Sequence, residues 1–159
     1  VSDLILDLDC IIKIKTMEKN LTSKVSTDIT VPITKVWDAL TKPELIKEYM
    51  FGTEAVSDWK VGSPIIFKGE WEGKSYEDKG TILAVAKPTF FQYNYWSNIS
   101  GTSDSPDNYA TITYVLSEQD NKTNLIITQD KIETQESKEK MEQNWAAMLQ
   151  TIKKMLEKN

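Results

Sequence analysis

The chain closes with SKEKMEQNWAAMLQTIKKMLEKN, in which Met141, Trp145, Met148, Leu149, Ile152 and Leu156 recur at i, i+4, i+7, i+8, i+11 and i+15. That spacing gathers them on one stripe of an amphipathic helix. Glu139 and Glu142 come early and Lys153, Lys154 and Lys158 late, as the helix dipole favours. At about 1.5 Å per residue the helix runs for about 30 Å, long enough to cross a whole sheet. A stripe of that length must be buried, so the rest of the chain has to supply a broad apolar face to cover it.

Upstream segments supply that face as strands with a period of two. Leu21 to Ile29 alternates, and Pro64 to Trp71 places Ile65, Phe67 and Trp71 on one side. Glu72-Gly73 is a tight turn into Ser75 to Val85, and Lys87-Pro88 is the next break. Phe90 to Trp96 follows with Phe91, Tyr93 and Tyr95 together, then a loop, ISGTSDSPDN, rich in turn residues. Ala110 to Leu116 alternates again, and Leu125, Ile127 and Gln129 share a face in the last strand. Between the first strand and this run, Pro32 suits the entry to a helix from Ile33 to Leu40. Thr41-Lys42-Pro43-Glu44 has the T-x-x-E form of a capping box, predicting a second short helix to about Met50 that Gly52 closes. Strands in one block with helices segregated predict an α+β fold: a curved antiparallel β-sheet wrapped around a long C-terminal helix, with two short helices after the first strand.

At 159 residues the length fits one domain. Residues 17–159 are expected to form it. Residues 1–16 read as an N-terminal extension: VSDLILDLDCIIKIK alternates like an extra edge strand, or one that pairs with another chain. Aspartates interrupt its apolar run, so it is not read as a signal peptide, and no apolar run suits a membrane span. The net charge is -5 and no lysine-rich stripe separates out, which argues against nucleic acid as a partner. There is one cysteine and no histidine. A lone cysteine carries no mark of an oxidising compartment, so a cytoplasmic location is expected. The missing histidine excludes Ser-His and Cys-His hydrolase arrangements and a His-ligated zinc. No cofactor and no metal site is read from the sequence, and any acid/base chemistry would fall to Asp, Glu, Lys or Tyr.

ITVPITKVWDALTKPELIKEYM, DWKVGSPIIFKG, GTILAVAKPTFFQYNYW, ATITYVLSEQDNKTNLIITQD and NWAAMLQTIKKMLE, in that order and spacing, resemble the activator-of-heat-shock-protein-90-ATPase-like branch of the SRPBCC (START/birch-pollen-allergen-like) superfamily. The resemblance implies a helix-grip fold whose sheet and long helix enclose a cavity that many relatives use for apolar ligands. It also implies contact with the heat-shock chaperone as an alternative role.

The residues expected to line such a cavity are Trp37, Tyr49, Phe67, Trp71, Phe91, Tyr93, Tyr95, Tyr114, Gln129, Trp145, Met148, Leu149 and Ile152. Large aromatics dominate cores in any case, so each can equally be packing. Buried tyrosine hydroxyls and tryptophan N–H groups need partners, however, and so many on one face suit a ligand or trapped water. Glu70, Glu72, Glu77 and Asp78 flank one hairpin and read as solvated charges. Three functions follow: non-enzymatic binding of a small hydrophobic or aromatic molecule, which leads; a protein-interaction or co-chaperone module; and a hydrolase or cyclase of a hydrophobic substrate. Monomer and dimer are both compatible with the sequence.

Overall fold

The computed structural model describes residues 20–158, so the expectation for residues 1–16 lies outside the described part. The elements run β1 (Leu21–Ile29), α1 (Ile33–Thr41), α2 (Pro43–Tyr49), β2 (Glu54–Ser57), β3 (Pro64–Trp71), β4 (Lys74–Ala86), β5 (Phe90–Ser97), a 3₁₀ turn (Pro106–Asn108), β6 (Ala110–Gln119), β7 (Lys122–Ile132) and α3 (Gln135–Leu156). Seven strands form one sheet in the order β1-β7-β6-β5-β4-β3-β2, every pair antiparallel. From β2 to β7 each strand pairs with its successor, so hairpins suffice. Only the link from β1 to β2 must pass from one edge to the other, and α1 and α2 make that crossing.

Turn chemistry fixes two of the hairpins. Glu72 and Gly73 at φ 50° and 79°, and Asp120 and Asn121 at φ 54° and 60°, place both central residues in the left-handed region. That is the two-residue turn whose twist matches the flanking strands. Register then aligns the inner face. Phe91 faces Tyr114, Tyr114 faces Ile127, and Ile127 faces Val25 across four strands. A parallel row joins Ile82, Tyr93, Ile112, Gln129 and Ser23.

Against this face α3 buries Leu149 and Ile152, with Trp145, Met148, Met155 and Leu156 half-buried beside them. Its Thr134 cap accepts a hydrogen bond from the Ser137 amide at 3.1 Å. Two of its carboxylates serve the sheet edge. Glu142 accepts from the Lys24 amide at 2.9 Å, and Glu157 accepts from the Thr30 amide and hydroxyl, both at 2.8 Å. These outward amides of an edge strand would otherwise offer a pairing template, and α3 covers it.

Two sequence expectations need correction. Thr41 does not cap α2: it is the last residue of α1, its hydroxyl donates to the Trp37 carbonyl at 2.8 Å, and Lys42 takes the cap position of α2 with Pro43 as the first helical residue. Proline there needs no amide partner, so the helix starts without the box. The four-residue strand β2 was not anticipated, because EAVS is too short to show a period. Gly52 does close α2, at φ 93° with its amide donating to the Lys47 carbonyl at 2.8 Å.

Candidate ligand-binding site

The aromatic residues of the inner face pack ring to ring. Phe91 lies 5.6 Å from Tyr93, 6.0 Å from Tyr114 and 6.1 Å from Trp37 between centroids. Phe67 reaches Tyr93 at 6.0 Å and Trp145 reaches Tyr114 at 6.4 Å, edge on. The hydroxyls of Tyr93 and Tyr114 share a buried hydrogen bond of 2.9 Å. Each therefore meets its polar requirement from the other, which lets two tyrosines sit in an apolar centre.

Burial, more than any neighbour, pushes the hydroxyls of Tyr49, Tyr93 and Tyr95 well above the usual tyrosine range and that of Tyr114 up to about 12. An adjacent tyrosine raises Tyr49 and Tyr93 further, and the Asp78 carboxylate does the same to Tyr95. At neutral pH these groups are donors, not bases.

Of the residues expected at the site, Tyr49, Phe67, Phe91, Tyr93, Tyr114, Leu149 and Ile152 are buried in this packed centre. Trp37 is buried too, and with Phe91, Thr41, Trp59, Val85 and Lys87 it also borders a small cleft of about 280 Å³. Tyr95 and Gln129 stand elsewhere. They open onto a cleft of about 640 Å³ at the end of β5, β6 and β7, where Met141 on the first half of α3 forms the facing wall. At about 640 Å³ it falls within the roughly 300–1,000 Å³ of small-molecule sites, and it is the cleft that Tyr95 and Gln129 both line. The Trp145 indole donates to the Gln129 side-chain oxygen at 2.9 Å, tying the helix to the cleft floor.

Trp71 is a correction. Its parity matches Ile65 and Phe67, but it is 64% exposed. It ends β3 beyond the last residue paired with β2, so no element lies over it. Asp78 is the opposite correction: it is not a solvated hairpin charge. Register places it between Phe67 and Ser97 on the inner face, and the Tyr95 hydroxyl donates to its Oδ2. Its Oδ1 is buried and has no hydrogen-bond partner. A β-bulge concealed this. Ile82 and Val85 both turn inward because the register shifts between Ile82 and Ala84, so counting in twos from Val85 puts Asp78 on the wrong side. Counting from Gly80 and Ile82 would have found it.

Tyr76, on the same face, reaches across Gly69 so that its hydroxyl meets that of Thr53. Tyrosine hydroxyls and one carboxylate thus run along the floor from β2 to the cleft.

Comparison with known proteins agrees with this architecture. No protein of curated function matches the chain in sequence. The solution structure of ChR145 from Cytophaga hutchinsonii is 49% identical over 86% of this chain and 94% of that one, with a TM-score of 0.78. The Aha1 dimer from Colwellia psychrerythraea is 18% identical over 87% of this chain and 97% of that one, with a TM-score of 0.69. CalU16 from Micromonospora echinospora, at 16% identity over 86% and 81% of the two chains, has a TM-score of 0.63. The last two share the fold. Residues 30–157 match the family described as activator of Hsp90 ATPase homolog 1-like protein, and the chain belongs to that family.

Proposed function

We propose that the protein binds a small hydrophobic or aromatic molecule, without chemical conversion, in the cleft between the end of the sheet and the first half of α3. The observation that carries this is the convergence of Tyr95 and Gln129 on a space of about 640 Å³ walled by Met141 and Ala110. Trp96, Ala110 and Met141 give the apolar part of a lining that also carries Ser97, Thr102, Asn108 and Gln129, and methionine adapts to irregular ligands. Tyrosines held protonated by burial orient a ligand and do not abstract its protons. Native mass spectrometry of protein taken gently from its own cells tests the proposal. A reproducible extra mass that organic solvent extracts is expected. Protein that stays empty, and that also takes up none of a panel of apolar fluorophores, would overturn it.

A second function, docking to a heat-shock chaperone, is favoured by the opposite corner of the molecule. Phe51 is 85% exposed at φ 53°, a left-handed conformation that a phenylalanine adopts at a cost. Trp71, at the end of β3, is a second aromatic side chain left exposed. Two aromatic anchors in water suit a partner protein. The family's name and the solved Aha1 relative make the ninety-kilodalton heat-shock chaperone the partner to test. Capture of that chaperone by the wild type and its loss in Phe51→Ser/Trp71→Ser would support docking, and equal capture by both proteins would dismiss this corner.

A further inference from the structure

The smaller cleft, of about 280 Å³, lies at the opposite end of β5 from the larger one and carries a different chemistry. Its walls are aromatic. The Phe91 ring lies 6.1 Å from that of Trp37, edge on, and 6.0 Å from that of Trp59. Trp59 stands in the loop between β2 and β3 at φ 60°, a conformation that a bulky residue adopts at a cost. Its amide donates to the Ser57 hydroxyl at 3.0 Å, which holds the loop in place. Val85, Thr41 and Lys87 complete the lining.

The polar groups that meet this space are donors. Trp37 is 4% exposed, yet its indole N–H has no hydrogen-bond partner among the described residues, whereas those of Trp96 and Trp145 donate to Thr102 and Gln129. Among those residues, the polar side-chain atom that lacks both a partner and an opening to its surroundings is Asp78 Oδ1. The Trp37 N–H, equally without a partner, therefore keeps an opening, and this cleft is the space that Trp37 borders. Lys87 brings an ammonium to the same space. The lysine ion pairs among the described residues are Lys42–Asp38, Lys79–Asp104 and Lys153–Glu157, so Lys87 is in none of them. The Thr41 hydroxyl already donates to the Trp37 carbonyl. No carboxylate lines the cleft: Asp38, beside Trp37, pairs with Lys42 at 3.4 Å, and Asp58, beside Trp59, is exposed. A nearly buried N–H without an acceptor is costly, so the site rewards a ligand that supplies one.

We infer that this cleft is a second binding site, for a small flat carboxylate. One carboxylate oxygen accepts from the Trp37 N–H and the other from the Lys87 ammonium, while an aromatic or unsaturated body packs on Phe91, Trp59 and Val85. Hydrogen bonds to an ionised acceptor are the stronger ones, so these donors select an anion over a neutral or cationic molecule of the same shape. A volume below the range of drug-sized sites limits the ligand to about one ring with a short arm. The two clefts share no lining residue, so this site stands apart from the function proposed above.

Cinnamate, cinnamyl alcohol and cinnamylammonium, three probes of one skeleton, test this in NMR titrations of the nitrogen-15-labelled chain, with the indole N–H signals of its five tryptophans as reporters. Cinnamate should move the Trp37 and Trp59 signals, leave that of Trp145 in place, and bind at least about tenfold more tightly than the alcohol, as a charged hydrogen bond gives. Cinnamylammonium should bind most weakly. Lys87→Gln should weaken cinnamate by about three- to tenfold while keeping alcohol affinity within about twofold. Equal affinity for cinnamate and the alcohol in the wild type would overturn the selection of an anion. A cinnamate response at Trp96 and Trp145 with Trp37 unmoved would overturn this site and support the larger cleft instead. Unchanged cinnamate affinity in Lys87→Gln would overturn the role of Lys87. No response to any probe would overturn the small cleft as a ligand site. If the variant fails to fold, the Trp37 signal and the wild-type ranking of the three probes still decide.

Discussion

Replacing Tyr93 or Tyr114 by phenylalanine tests whether the centre of the domain is dry. The two hydroxyls are 2.9 Å apart and buried. Either single substitution strands the remaining hydroxyl among Phe91, Phe67 and Trp145, at a cost of about 1–3 kcal/mol. Removing both hydroxyls strands nothing. The double variant should lie within about 1 kcal/mol of the wild type, because the net worth of a neutral hydrogen bond is of that size. The cycle therefore predicts singles that are each worse than the double, with a coupling of about 1–3 kcal/mol in magnitude. For a chain of this length that is a fall of about 2–4 °C in Tm per kcal/mol for each single, largely restored in the double. Urea unfolding gives the free energies and scanning calorimetry the temperatures. Singles that cost less than about 0.5 kcal/mol and add independently would refute the reasoning. Each hydroxyl would then have water or open space to turn to, the centre would be hollow, and the ligand site would move inward from the cleft.

Gly80→Ala should destabilise by about 2 kcal/mol or more, read in urea, because the new Cβ would overlap the Asn94 backbone carbonyl, which cannot swing aside. Glu157→Gln should remove part of the acid sensitivity. Hydrogen bonds from the Thr30 amide, Lys153 and the Thr30 hydroxyl hold the Glu157 carboxyl down at about 2, so its stabilisation is present above the ordinary value of 4.5 and is lost as pH falls towards 2. Between those limits the wild type should lose more stability than the variant, measured by urea midpoints at several pH values. Spectrophotometric titration should find Tyr49, Tyr93, Tyr95 and Tyr114 silent near pH 10. Their raised values mean that the unfolded chain gives up these protons first, so stability falls as pH rises past about 10 and the four titrate only with unfolding.

The fold was legible because its signals are long. The stripe from Met141 to Leu156 required a broad apolar partner, and Phe91, Tyr93 and Tyr95 oriented β5 without ambiguity. Short or interrupted signals were lost: β2 has four residues, and a threonine before proline and glutamate imitates a capping box that Pro43 renders unnecessary. The candidate site was half legible. Tyr95 and Gln129 follow from strand parity, but parity cannot separate a residue over the packed centre from one at the open end, and Tyr93 and Tyr95 look alike until register and helix position are known. Trp71 shows the same blindness at a strand end, where the right parity meets no covering element.

Asp78 stands apart, since one irregularity in β4 reverses the facing of half the strand. With unbroken pairing along β4, Val85 against Phe91 would imply Glu77 and Lys79 on the inner face and Asp78 outside. One extra residue between Ile82 and Ala84 reverses this over the lower half of the strand, so Gly80 and Asp78 turn inward while Val85 keeps its place in the core. Gly80 then lets the strand lie against the Asn94 backbone, closer than any other residue would allow. The Tyr95 hydroxyl then reaches the Asp78 carboxylate on that face. A bulge costs ladder hydrogen bonds, and here it returns packing, since Ile82 and Val85, three residues apart, both turn into the core.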